Sequence, residues 1–110
     1  MLPKINRLKK RADFSRVFRE GRGFKEDFLF LKIVKNNLEN SRFGFVVSKK
    51  FSNKAFLRNK IKRKLRELMR IKIKKIKKGL DGVIIISPGA EDFSEIEGEI
   101  DNIFKKAGLF

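Results

Sequence analysis

The residues that could do chemistry here are cations. Residues 49–78 hold fifteen Lys and Arg against one acid, Glu67, so this stretch contributes +14 of the chain's net +16. Its centre reads Arg58-Asn59-Lys60-Ile61-Lys62-Arg63-Lys64-Leu65-Arg66-Glu67, with apolar residues returning every three or four positions. That spacing predicts a helix with one buried stripe and a basic exterior. Like charges at i,i+4 on a helix repel by about 0.2–0.5 kcal/mol per pair, and a bound polyanion would offset that cost. An ordinary solvated face mixes both signs, and this one does not. Arg is suited to phosphate, because its planar fork holds two oxygens at once. Nucleic acid is therefore the expected partner. A membrane surface fits poorly, because the apolar stripe is needed for the core.

The stripe consists of Leu57, Ile61, Leu65, Leu68 and Met69. Arg63, Arg66, Arg70, Lys74 and Lys77 run along the far side. Arg58, Lys62 and Arg66 form a second row at i, i+4, i+8 on one flank, and Lys60 and Lys64 lie on the other. The helix thus offers basic rows aimed in different directions. It is expected from about residue 56 to the low 70s, with Gly79 as a stop.

The rest of the composition narrows the function. The chain has 110 residues, no Cys and no His. That excludes disulfides, thiolate chemistry and the usual nitrogen–sulfur zinc sites, and removes the commonest general base near neutral pH. The sequence contains no nucleophile–base pair. The seven acids after residue 80 (Asp81, Glu91, Asp92, Glu95, Glu97, Glu99 and Asp101) show no metal-ligand spacing and read as a solvated helix face. No window approaches the roughly 20 apolar residues of a transmembrane helix, and the N-terminus has no signal-peptide run. A soluble cytoplasmic protein of one domain, residues 1–110, is expected, with no membrane or small-molecule partner. Charge is uneven: residues 1–48 carry +7 and residues 79–110 carry −5. The ligand is expected against the first two thirds, with the C-terminal helix facing away.

Other elements must position the basic helix. Asp13 reads as the N-cap of a short helix over about 14–20, with Gly21 as its stop. Phe14, Val17 and Phe18 share one face of it. This is core spacing, but Phe14 and Phe18 could also edge a groove where an unpaired base stacks, an interaction worth roughly 1–3 kcal/mol per base. Gly21-Arg22-Gly23 lacks phosphate-loop spacing and reads as a turn. Residues 27–35 read as a strand apolar on both faces, with Phe28, Phe30 and Val34 on one side and Leu29, Leu31 and Ile33 on the other. Its second face needs a cover or a ligand, and Leu31 has the same ambiguity as the two Phe. A second strand, Phe43–Val47, is expected antiparallel to the first. Residues 48–55 form a polar connection. Val83–Ile86 is a short buried strand ended by Pro88-Gly89. Ser94 with Glu97 forms a capping box for a last helix burying Phe93 or Ile96, Ile100, Ile103, Phe104 and Ala107, which Gly108 closes. The class is α+β, a sheet with packed helices.

Lys54-Ala55-Phe56-Leu57-Arg58-Asn59-Lys60-Ile61-Lys62-Arg63-Lys64-Leu65-Arg66-Glu67 resembles the signature of the bacterial ribonuclease P protein subunit. Leu8-Lys9-Lys10 with Asp13-Phe14 and Val17-Phe18 resembles that family's opening. Phe43–Lys50 resembles its strand before the basic loop, and Val83–Ile86 with Pro88-Gly89-Ala90 its late strand. The resemblance implies an α-β-β-β-α-β-α sandwich, like the second domain of ribosomal protein S5, with a left-handed βαβ crossover against the usual hand. It implies a non-catalytic subunit that joins ribonuclease P RNA and helps it remove the 5′ leader of precursor tRNA, with Mg2+ held mainly by the RNA. Carried over by position, Arg58, Asn59, Lys60, Lys62, Arg63 and Arg66 would face RNA. Phe14, Phe18 and Leu31 would line a leader cleft. Lys60 stands where the family usually has Arg, which keeps the charge and loses the fork. Two other readings explain the charge: a structural protein on folded rRNA, and a nuclease acting alone, which the lack of His disfavours.

Overall fold

The computed structural model describes residues 2–47, 54–87 and 93–110, except for the side chains of 93–95. After a 3-10 turn at Lys4–Asn6, the elements are α1 (Arg11–Glu20), β1 (Arg22–Glu26), β2 (Leu29–Lys35), β3 (Arg42–Val47), α2 (Ala55–Lys72), β4 (Leu80–Ile86) and α3 (Phe93–Lys106). This is the expected α-β-β-β-α-β-α order of an α+β fold. The sheet order is β1-β2-β4-β3. β1 pairs antiparallel with β2 and β2 antiparallel with β4, whereas β3 and β4 are parallel neighbours joined through α2.

Burial on both faces decides which strands are central. Asp81, Val83, Ile84 and Ile86 of β4 are fully buried, so β4 takes an interior place. It runs between β2 and β3, which are consecutive in sequence and opposite in direction but do not pair. The expected antiparallel pairing of those two strands is therefore corrected. The third strand that precedes α2 in the implied order is β1, which comes before the two-faced strand. Arg22 and Gly23 open β1 rather than forming a turn, and β1 pairs Gly23 with Lys32.

The sheet has two unlike faces. On one, Leu29, Leu31, Ile33, Phe43, Phe45, Ile84 and Ile86 meet Leu65 and Met69 of α2 and Ile96, Ile100, Ile103 and Phe104 of α3 in the main core. On the other, α1 buries Val17 against Val83 and Leu8, with Phe14, Val34, Val46 and Ile85 around them.

Helix ends follow local chemistry. Lys10, with no capping side chain, is the N-cap of α1. Asp13 instead sits in the first turn, where a negative charge suits the helix dipole. Gly21 ends α1 with extended φ, and its N–H donates to the Val17 carbonyl at 2.8 Å. Glycine is required there by space, since a Cβ would lie 2.4 Å from that same oxygen. α2 ends at Lys72, short of Gly79, whose φ of +79° belongs to the turn into β4. After α3, the N–H groups of Gly108 and Leu109 donate to the carbonyls of Lys105 and Phe104 at 3.1 and 3.0 Å. With Gly108 at φ +70°, these bonds form a Schellman stop. The expected polar connection at 48–53, the Pro88-Gly89 ending and the Ser94 and Phe93 side chains lie outside the described residues.

Candidate nucleic-acid interface

α2 runs beside the edge strand β3, and the N-terminal segment lies against the same edge. Arg7 bridges Phe43 in parallel, and Leu8 N–H donates to the Phe43 carbonyl at 3.0 Å. This covers part of an edge that would otherwise invite pairing. Between the N-terminal segment, α1 and α2 lies a cleft of about 380 Å³. Lys62 and Arg66 of α2 and Arg7 and Lys9 of the N-terminal segment bring cations to it, and Phe14 brings a ring. Among the described residues no carboxylate lines it.

The cleft depends on a glycine that sequence reasoning passed over. A Cβ on Gly44 would sit 2.3 Å from Phe14 Cζ, so the Phe14 ring lies directly on the β3 backbone. Glycine inside an apolar strand often marks such a close approach, and Phe43-Gly44-Phe45 carried that signal. Phe14 is half-buried and does two things: it packs in the small core under α1 and presents an edge to the cleft. Phe18 is one turn further along α1 and 39% exposed.

The other expected site residues divide. Arg58 is half-buried one turn before Lys62, and Asn59, Lys60 and Arg63 are exposed on α2. Leu31 is a correction. It is fully buried in the main core, on the opposite face of the sheet from α1 and Phe14. Strand side chains alternate between faces, so the β2 residues on the α1 side are Phe30, Lys32 and Val34. Lys32 Nζ donates to the Phe18 carbonyl at 2.7 Å. The half-buried Phe30 ring lies over Gly23 of β1, where a Cβ would come within 2.9 Å of Phe30 Cζ.

A partly buried ion network centred on Asp81 ties α1 to the sheet. Arg42 Nε and Nη2 donate to Asp81 Oδ1 and Oδ2 at 2.8 and 2.6 Å, and Asn36 Nδ2 donates to Oδ1 at 2.9 Å. From α1, Arg16 Nη1 approaches Asp81 Oδ2 to 3.8 Å, and Asp13 Oδ2 lies 3.5 Å from Arg42 Nη1. Hydrogen bonding to Asp81 raises the pKa of Arg42 against the opposing effect of burial. Asp81 was expected on a solvated helix face. It is instead fully buried in β4, tolerated there because a bidentate partner and an amide satisfy it. Glu99 is likewise buried, and burial, ahead of its neighbours' effects, pushes its carboxyl pKa up. Two α3 acids are also tied to the rest of the fold: Asp101 pairs with Lys72, and Glu99 accepts from Phe28 N–H at 3.3 Å.

Among the described residues no group of three or more acids is gathered as a metal-binding set, and no helix is long and apolar enough to cross a membrane. A cleft walled by guanidinium and ammonium groups around an aromatic ring can neutralise a phosphate backbone and stack a base. The family model for ribonuclease P matches residues 2–108. The chain belongs to the ribonuclease P protein family. The ribonuclease P protein component of Clostridium acetobutylicum is 40% identical over 110 residues, covering 96% of this chain and 92% of that protein. The RNase P protein of Staphylococcus aureus superposes with a TM-score of 0.85 at 31% identity, covering 96% of this chain and 97% of that one. That of Thermotoga maritima superposes with a TM-score of 0.77 at 34% identity, covering 91% and 96%.

Proposed function

We propose that this chain is the non-catalytic subunit of a ribonuclease P ribonucleoprotein, binding ribonuclease P RNA and the single-stranded 5′ leader of precursor tRNA. The observation that carries this reading is the cleft, which Phe14, Lys62 and Arg66 line together, with no carboxylate among its described lining residues. Phosphates would be neutralised by the helix cations, and an unpaired leader base would stack on Phe14 or Phe18. Arg58, Asn59, Lys60 and Arg63 would face the catalytic RNA from the outer part of α2. In this reading the RNA carries the chemistry, and the protein acts by positioning the scissile bond and adding substrate binding energy. Magnesium would be held mainly by the RNA. A protein with these partners would work in the bacterial cytoplasm.

The test is cleavage of precursor tRNA by ribonuclease P RNA at limiting magnesium, with and without the protein. The expected result is stimulation that fades steeply with added salt, as counterion release requires. No stimulation, with no RNA binding in dilute buffer, would refute the reading. Cleavage by the protein alone, after contaminating RNA is removed, would refute the non-catalytic part.

A further inference from the structure

Every fourth residue from 58 to 78 is basic: Arg58, Lys62, Arg66, Arg70, Lys74 and Lys78. The fold gives this spacing a spatial meaning. Lys62 and Arg66 line the cleft already described. Arg70, Lys74 and Lys78 line a second depression, of about 390 Å³, further along α2 and the turn that follows it. The N-terminal segment runs past both, contributing Arg7 and Lys9 to the first and Pro3 and Asn6 to the second. From Lys62 to Arg70 the helix advances about 12 Å. The two depressions are successive stations along α2 and the N-terminal segment.

The floor of the second station is fixed. Ser41 and Asn6 are buried, at 3% and 8% exposure. Ser41 Oγ donates to the Lys77 carbonyl at 2.7 Å and accepts from Leu80 N–H at 3.2 Å. Asn6 Nδ2 donates to the Ser41 carbonyl at 2.8 Å. Among the described residues, no carboxylate and no aromatic ring lines this station. Arg70 is braced from outside by Glu67, at 2.9 Å. Three cations around buried Ser41 and Asn6, with Pro3 and Ile73 as apolar walls and no aromatic ring among the described residues to stack a base, suit a sugar–phosphate backbone and not its bases.

We infer that this second station holds backbone phosphates of the same single-stranded leader after it leaves the cleft, so that the protein senses leader length independently of sequence. This rests on the leader-binding reading above. Basic grooves track single strands in this way, with affinity that depends strongly on salt.

The experiment uses holoenzymes carrying wild-type protein or Arg70→Ala/Lys74→Ala/Lys78→Ala. Each is titrated with precursor tRNA whose leader just fills the cleft, and with one whose leader is several nucleotides longer. Wild type is expected to bind the longer leader more tightly. The triple variant is expected to lose that whole advantage and keep short-leader affinity. Its log–log salt slope for the long leader should shrink by about 0.7 for each phosphate no longer neutralised. Lys74→Glu/Lys78→Glu leaves the Arg70–Glu67 pair in place, and should make the longer leader bind worse than the shorter. An undiminished long-leader advantage in the variants overturns the inference. So does equal loss for both leaders, or a loss of affinity for ribonuclease P RNA itself, which would assign the station to that partner. If wild type does not prefer precursor over mature tRNA, the leader-binding reading fails. If it does, but leader length has no effect, only this inference fails.

Discussion

The two faces of the sheet are built from different materials. The α2–α3 face is a dry core of Leu, Ile and Phe, including fully buried Leu31, Ile84 and Phe104. The α1 face has a small apolar cluster and, beside it, the Arg42–Asp81 network with Asn36, Asp13 and Arg16. Apolar burial is non-directional and stabilises any tight packing. Bidentate ion pairs fix angles as well as distances. The first face therefore makes the fold stable, and the second sets where α1 lies, and with it Phe14 and the cleft.

This division can be broken from either side. Leu31→Ala should have the largest effect on stability, about 2–5 kcal/mol for a buried Leu with no room to collapse. It should leave the ratio of precursor to mature tRNA affinity unchanged. Denaturant unfolding and paired titrations check this, and a selective loss for precursor would return Leu31 to the cleft. Asp81→Ala should cost about 3 kcal/mol, the lower end for breaking a buried pair, because the Arg42 side chain is 23% exposed. Unlike Leu31→Ala, it should also lower the precursor preference, since α1 loses its anchor. Gly44→Ala should cost about 1–3 kcal/mol as an overpacked site. The displaced Phe14 ring should weaken precursor binding more than mature.

Phe18→Ala tests the exposed α1 surface beyond the cleft lining, with little structural change. Precursor binding should weaken by roughly 1–3 kcal/mol, the scale of one stacked base, while stability moves by no more than about 0.5 kcal/mol. The smallest effect belongs to Glu99. Its native carboxyl holds a proton more tightly than in the unfolded chain, chiefly because of burial. The contribution of Glu99 to stability is therefore greatest in acid and falls as pH rises from the unfolded value through the raised native one. Glu99→Gln should flatten that slope and give a small gain at neutral pH, read from melting temperatures across about pH 4 to 8.

Much of this was legible in the residues. The period of the basic segment marked α2 and its buried Leu65 and Met69, and the apolar run at Val83–Ile86 marked a strand buried on both faces. Strand order was not legible, because chain adjacency favours pairing β2 with β3, whereas β4 returns through α2 to lie between them. Leu31 was misplaced for a related reason: alternation sorts Leu31 from Phe30, but a strand apolar on both sides does not say which side α1 covers. Asp81 was unreadable as a buried acid because its partner, Arg42, is 39 residues away. Gly44 was readable, as a glycine between two Phe in a strand, and would have drawn attention to the ring that rests on it.

The most direct test is the affinity of holoenzyme for precursor relative to mature tRNA, measured with wild-type protein and with Lys62→Ala/Arg66→Ala. Wild type is expected to favour precursor, and the variant to lose most of that preference while still assembling with ribonuclease P RNA. An unchanged preference in the variant would contradict the leader-binding reading.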